Sequence, residues 1–249
     1  MKLIVIANWK MNPSSLNEAR QLFAETKKCI RKSRRVELIV FPPAVFLAEF
    51  RRESSKVKLG GQNCHWEDKG AFTGEISPKQ LKSLGCKYVI LGHSERRQFF
   101  QEGDEMINRK IKAALKNKLK IVFCVGETDQ EKEAGITQEV LMGQMRDGLR
   151  GVSRREIESM IVAYEPSWAI GTGLAYSVGD AQVMNLFLKK IISQQYSLAT
   201  ARKMPILYGG SVNHKNVRDY ILEAGMSGVI LGGGSLDAKE LGKIIESLK

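Results

Sequence analysis

Met160-Ile161-Val162-Ala163-Tyr164 is apolar at every position, and the chain then turns at once to Glu165-Pro166. An unbroken apolar run of this length fits a parallel strand covered on both faces, whereas a half-exposed strand would alternate. Outward from it, the same kind of run recurs at Leu3–Ala7, Val36–Phe41, Val57–Gly61, Tyr88–Leu91, Ile121–Val125, Pro205–Tyr208 and Val229–Leu231, eight in all. Amphipathic helical stretches lie between them, among them Ser14–Arg31, Asp104–Asn117, Val178–Ser193, Asn213–Ala224 and Leu236–Leu248, several opened by Ser, Asn or Asp suited to capping a helix. Parallel neighbours need a crossover, normally a helix, so the pattern is strand then helix, repeated. No Pro-, Gly- or Ser-rich linker and no low-complexity tract divides the 249 residues. A doubly wound open sheet is the competing arrangement, but eight units in this length predict an α/β chain closed into a single (β/α)8 barrel, one domain over residues 1–249.

With 43% hydrophobic and 27% charged residues the chain can bury a sizeable core and has no signature of disorder. Lys and Arg number 39 against 27 Asp and Glu, a formal charge of +12 that suits either nucleic-acid binding or the steering of a small anion. The basic residues are dispersed over helical stretches such as Lys27 to Arg35 and Arg109 to Lys120, without an aromatic-basic recognition motif. A solvated surface with steering as a secondary effect is therefore expected, and no nucleic-acid partner. The opening run MKLIVIAN is too short for a signal-peptide core or a membrane span before it meets Asn8 and Lys10, so a cytoplasmic protein without a membrane partner is expected. Cys29, Cys64, Cys86 and Cys124 form no CxxC pair, and His65, His93 and His214 are not grouped with them, so reduced thiols are expected and no metal site.

In such a barrel the loops following the strands carry chemistry while the opposite loops serve stability. Asn8-Trp9-Lys10-Met11-Asn12 follows the first strand. A lone Lys is ordinarily a solvated charge, but this one directly follows an apolar strand, where its ammonium suits a phosphate or a developing oxyanion. Gly92-His93-Ser94-Glu95-Arg96-Arg97 follows the fourth, and Ser94 and Glu95 read as the first turn of a helix. A His at a helix N-terminus is disfavoured from taking a second proton, so a neutral His93 is placed to donate to a carbonyl oxygen; a satisfied core His is the plainer alternative.

Glu165 ends an otherwise apolar strand, where a structural salt bridge is one reading and a strengthened base, able to take a proton α to a carbonyl, is the other. The uncharged segment after it, Pro166-Ser167-Trp168-Ala169-Ile170-Gly171-Thr172-Gly173, reads as a lid in which Trp168 and Ile170 exclude water. Gly209-Gly210-Ser211-Val212 and Gly232-Gly233-Gly234-Ser235 follow the last two strands, where barrels bind phosphate on backbone N–H groups.

Seven segments in order, ANWKMN (7–12), GAFTGE (70–75), GHSERR (92–97), CVGE (124–127), AYEPSWAIGTG (163–173), YGGSV (208–212) and LGGGSL (231–236), make the chain resemble the triosephosphate isomerase family over its whole length. The resemblance implies an isomerase of glycolysis and gluconeogenesis that interconverts dihydroxyacetone phosphate and D-glyceraldehyde 3-phosphate through an enediolate, with no cofactor. It implies Glu165 as the base, a neutral His93 polarising the carbonyl, and Lys10 and Asn8 stabilising the oxyanion. Glu95 would hold Lys10, with Ser94 and Cys124 also bordering the catalytic groups, and the phosphate would rest on the backbone N–H groups of Gly171, Ser211, Gly232 and Gly233. The long Cys64–Pro78 stretch corresponds to a loop that, in the family, enters a neighbouring subunit. Thr73 would then approach Asn12, Met11 and the Lys10 region across the interface of a homodimer; the simpler possibility is that the loop folds over its own barrel.

Three positions depart from the family pattern: Ser167 replaces a commonly apolar lid residue, Tyr176 a small one, and Leu231 a common Val. Another phosphate-binding barrel enzyme, an aldolase or a synthase, is the nearest alternative, but no strand centre offers a convincing Lys for Schiff-base chemistry. A basic non-catalytic binding protein would explain the charge and leave Glu165 and the neutral lid unexplained.

Overall fold

A computed structural model describes residues 2–31, 33–51, 56–169 and 176–248. Its strands are β1 (Leu3–Asn8), β2 (Val36–Phe41), β3 (Val57–Gly61), β4 (Tyr88–Leu91), β5 (Lys120–Val125), β6 (Met160–Tyr164), β7 (Ile206–Tyr208) and β8 (Gly228–Leu231). Its α-helices are α1 (Leu16–Ile30), α2 (Leu47–Phe50), α3 (Pro78–Ser83), α4 (Ser94–Phe100), α5 (Asp104–Lys116), α6 (Asp129–Glu133), α7 (Thr137–Gly148), α8 (Val178–Gln195), α9 (Leu198–Lys203), α10 (Val217–Leu222) and α11 (Ala238–Ser247). The eight strands pair in sequence order and are all parallel, and β8 closes the ring on β1 with Ile4 opposite Gly228 and Ala7 opposite Leu231.

Successive side chains of a strand point to opposite faces, and here both faces are dry. Ile6, Ile39, Phe41, Ile90, Val122, Ala163 and Leu207 fill the inside of the ring. Their neighbours Val5, Leu38, Val40, Val89, Phe123 and Val162 face outward and pack with helix residues such as Phe23, Ile111, Leu141, Leu188 and Ile244. This division explains why the strands read as continuous apolar runs. Among the described residues, no helix is long and apolar enough to cross a membrane.

Caps set several helix starts inside the limits read from periodicity, while α8 continues two residues past Ser193 to Gln195. Ser15 precedes α1 and accepts from the Glu18 N–H, so the helix begins at Leu16 rather than Ser14. Asn213 accepts from the N–H groups of Lys215 (2.9 Å) and Asn216 (3.3 Å), a local turn that delays α10 to Val217. Asp237 likewise caps α11, and Ser177 caps α8.

Candidate active site

All strands run the same way, so the segments that follow them meet at one end of the ring. Glu165 continues the β6 backbone, its N–H donating to Val125 O at 2.8 Å, and the residue is 2% exposed. Its Oε2 accepts from the Ser94 N–H at 3.1 Å, while Oε1 lies 3.6 Å from Nε2 of His93. Close approach leaves no room for side chains on two neighbours: a Cβ at Gly126 would sit 1.9 Å from Glu165 O, and one at Gly209 would sit 2.7 Å from Glu165 Cγ. Cys124 lies fully buried on the inside of the ring; burial, then the negative Glu165, pushes its thiol well above the ordinary range.

His93 is the residue before α4, and its Nδ1 accepts from the Glu95 N–H at 3.2 Å. A backbone N–H can only donate, so Nδ1 is an acceptor and the ring's proton sits on Nε2, the nitrogen aimed at Glu165. The imidazole is thus oriented by the helix it caps. Lys10 has φ 54°, a left-handed conformation uncommon for a residue with a side chain and characteristic of functional turns. Its N–H donates to Asn8 Oδ1 (3.1 Å), its carbonyl accepts from Gln62 Nε2 (2.8 Å), and its Nζ lies 2.5 Å from Glu95 Oε1. Asn8 is buried at the end of β1.

Asn8, Lys10, His93, Glu165, Ser211, Gly232 and Gly233 line one cavity of ≈ 280 Å³. Opposite the carboxylate, Gly232 opens a one-turn helix over Gly233–Ser235. Ser235, wholly buried, fixes this turn by donating to the carbonyls of Gly232 (2.6 Å) and Asn8 (3.3 Å), tying the β8 loop to the β1 loop. Leu231 borders the cavity directly below.

Pro166 and Ala169 are buried and Ser167 and Trp168 half-buried, all held against the β5 loop. Ser167 donates to Glu127 O through both its N–H (3.0 Å) and its hydroxyl (2.9 Å), which gives the departure from an apolar residue a physical reason. The Glu127 carboxylate, buried at 1% exposure, accepts from Trp168 Nε1 (2.9 Å) and from the Tyr164 hydroxyl (3.1 Å). Lys132 stands 3.4 Å over the Trp168 ring. Ala169 O accepts from the Ser211 hydroxyl at 2.8 Å, joining this segment to the β7 loop. Ile170, Gly171, Thr172 and Gly173 lie outside the described residues.

Tyr176 resumes the described chain. Its N–H donates to the Tyr208 hydroxyl (3.2 Å), its carbonyl accepts from Tyr220 (2.6 Å), and its ring meets Tyr164 and Trp168 edge-on at 5.9 and 5.3 Å. Burial, then the Glu127 charge, raises the Tyr164 phenol above its usual range. The large residue at 176 therefore fills a site lined by aromatic rings.

Met11, Asn12 and Thr73 are exposed, Met11 at 93%. The Cys64–Pro78 stretch packs on itself through His65, whose ring stacks on Trp66 at 4.0 Å and meets Phe72 at a tilt at 4.2 Å, and its Thr73 is exposed.

Glu127, Gln62 and Ser235 were not singled out from the sequence as site residues. Glu127 and Gln62 share the signal that marked Glu165, a polar residue within two positions of a buried strand end. Ser235 gave no such signal, because its role is to satisfy two carbonyls that only the fold brings together. The assembled groups, a buried carboxylate facing an imidazole N–H and an ammonium beside backbone donors, can move a proton on a small anionic carbonyl compound.

A family model described as triosephosphate isomerase matches residues 3–248. The chain is 41% identical over 246 residues to the triosephosphate isomerase of Dictyoglomus turgidum, covering 98% of each. It is 42% identical over 244 residues to those of Geobacter metallireducens and Moorella thermoacetica, with 97% of each chain covered in both comparisons.

Proposed function

The chain belongs to the triosephosphate isomerase family and interconverts dihydroxyacetone phosphate and D-glyceraldehyde 3-phosphate, and we propose that the whole barrel acts as one catalytic domain with Glu165 as its base. The observation that carries this assignment is the Glu165 carboxylate, held by the Ser94 N–H and facing Nε2 of His93 in the cavity wall.

Glu165 takes a proton from the carbon beside the carbonyl, and the electron pair left behind moves onto the carbonyl oxygen as an enediolate. The Nε2–H of His93 donates to that oxygen and passes protons between the two oxygens. Lys10, positioned by Glu95, and Asn8 offset the developing negative charge, a contribution largest in a site shielded from water. Glu165 then returns its proton to the adjacent carbon. The sequence is proton transfer throughout, and all its acids and bases are side chains of this chain. The phosphate rests on the N–H groups of Ser211, Gly232 and Gly233, with Gly171 as a further donor.

Glyceraldehyde 3-phosphate supplied to the wild type is converted rapidly, and Glu165→Gln lowers kcat by about 10²–10⁴-fold. Equal rates in the two proteins would overturn the role of Glu165.

The enzyme works as a homodimer in the cytoplasm. Met11, Val45, Phe72 and Phe100 expose large apolar side chains on the segments that follow β1, β2, β3 and β4, adjacent around the ring, where a second subunit would cover them. Thr73 then approaches Asn12 and Met11 of the other copy. Four free cysteines suit a reducing compartment. Sedimentation at micromolar concentration gives the mass of two chains; a monomer would remove this part of the reading.

A further inference from the structure

Basic residues that look scattered along the sequence are gathered by the fold. Every strand of a parallel barrel begins at the same end. At six of the eight beginnings stands an exposed cation: Lys2 before β1, Arg34 before β2, Lys56 before β3, Lys87 before β4, Lys118 before β5 and Lys203 before β7. None of these six is paired with a carboxylate among the described residues. The ammonium groups that do find partners here find carbonyls: Lys82 donates to Lys118 O at 2.7 Å and Lys56 to Arg31 O at 3.3 Å. Among the described residues the negative groups at this end include Glu37, which accepts from the Tyr88 hydroxyl, Asp147, which pairs with Arg146, Glu156 and Glu158 before β6, and Glu223 and Glu246 at the ends of α10 and α11. Crowding is felt locally, since partial burial and then the nearby Lys87 and Lys118 lower the Lys82 ammonium from its usual range.

We propose that this end of the barrel docks on an anionic lipid surface. The cations are spread around a closed ring, so a planar array of head groups meets them together, whereas a nucleic-acid duplex meets only those along one line. Among the described residues, stacking platforms for single strands are lacking at this end as well: the exposed aromatic side chains Phe72, Phe99 and Phe100 all follow strands and lie towards the opposite end. Contact is electrostatic and peripheral, and it leaves the active-site cavity open to substrate on the far side.

Cosedimentation with vesicles tests this at low salt. The full-length enzyme pellets with phosphatidylcholine vesicles containing phosphatidylglycerol, stays in solution with phosphatidylcholine alone, and is released by added salt. The triple variant Arg34→Gln, Lys87→Gln, Lys118→Gln binds on the order of a hundredfold more weakly while its isomerase turnover is unchanged. A control variant, Lys190→Gln on α8, binds as the wild type does. Equal binding to neutral and anionic vesicles, equal binding by the triple variant, or tighter retention on duplex DNA than on anionic vesicles would each overturn the proposal. Isomerase activity is read separately, so its loss would speak against the catalytic assignment and not against docking.

Discussion

Behind the ends of the strands stand Lys10, His93, Glu127 and Glu165 among glycines, and ahead of their beginnings stand Lys2, Arg34, Lys56, Lys87 and Lys118. At the first end these charges are engaged, Lys10 with Glu95, Glu165 with Ser94, Glu127 with Tyr164 and Trp168. At the second end the cations reach into water. A buried charge is tolerated only with partners, so its neighbours are fixed along with it, whereas an exposed one costs little and can be exchanged. One fold thus holds a rigidly specified electrostatic site and a permissive one, separated by the length of its strands.

Matched substitutions probe that difference. Lys10→Met lowers kcat/KM by about 10²–10³-fold, the loss typical of a donor aimed at a developing oxyanion, while Lys87→Met leaves steady-state kinetics within a factor of about two, as surface changes do. Similar losses at both positions would erase the distinction. Gly209→Ala comes next in size. Its methyl group lies where Glu165 Cγ and Ile230 stand, at 2.7 and 2.8 Å, so the carboxylate must shift and kcat falls by on the order of 10–100-fold with KM nearly unchanged. Tyr176→Phe has the smallest effect. It removes a half-buried hydroxyl beside Tyr164 and lowers unfolding stability by about 0.5–1.5 kcal/mol in urea titrations, with turnover reduced only a few-fold. A Tyr176→Ala protein as stable as Tyr176→Phe would show that the ring contacts with Trp168 contribute nothing.

The ring itself was legible in the sequence because burial on both faces removes polar residues from a strand, and eight such runs alternating with helical stretches in 249 residues favour closure over an open sheet. Glu165, His93 and Lys10 were legible for the same reason, as polar residues at the end of apolar ones. The orientation of His93 was not, since it depends on a hydrogen bond to the Glu95 N–H that exists only once α4 has formed. Nor was the anchoring of Ser167 and Trp168 on Glu127, forty residues away in sequence and adjacent only because β5 and β6 pair. The gathering of cations at one end of the ring was not legible either, for a related reason. Dispersal along a chain says nothing about dispersal in space when the spacing of the cations follows the spacing of the strands.

The return of β8 onto β1 also bears on how this protein fails. A sheet that closes on itself offers no unpaired strand edge, so folded molecules have no template on which to add strand to strand. Its long apolar runs, each capable of intermolecular pairing on its own, are sequestered only while the ring is shut. Aggregation must then begin from opened chains, and its rate on warming follows the rate at which the barrel unzips rather than the concentration of native protein.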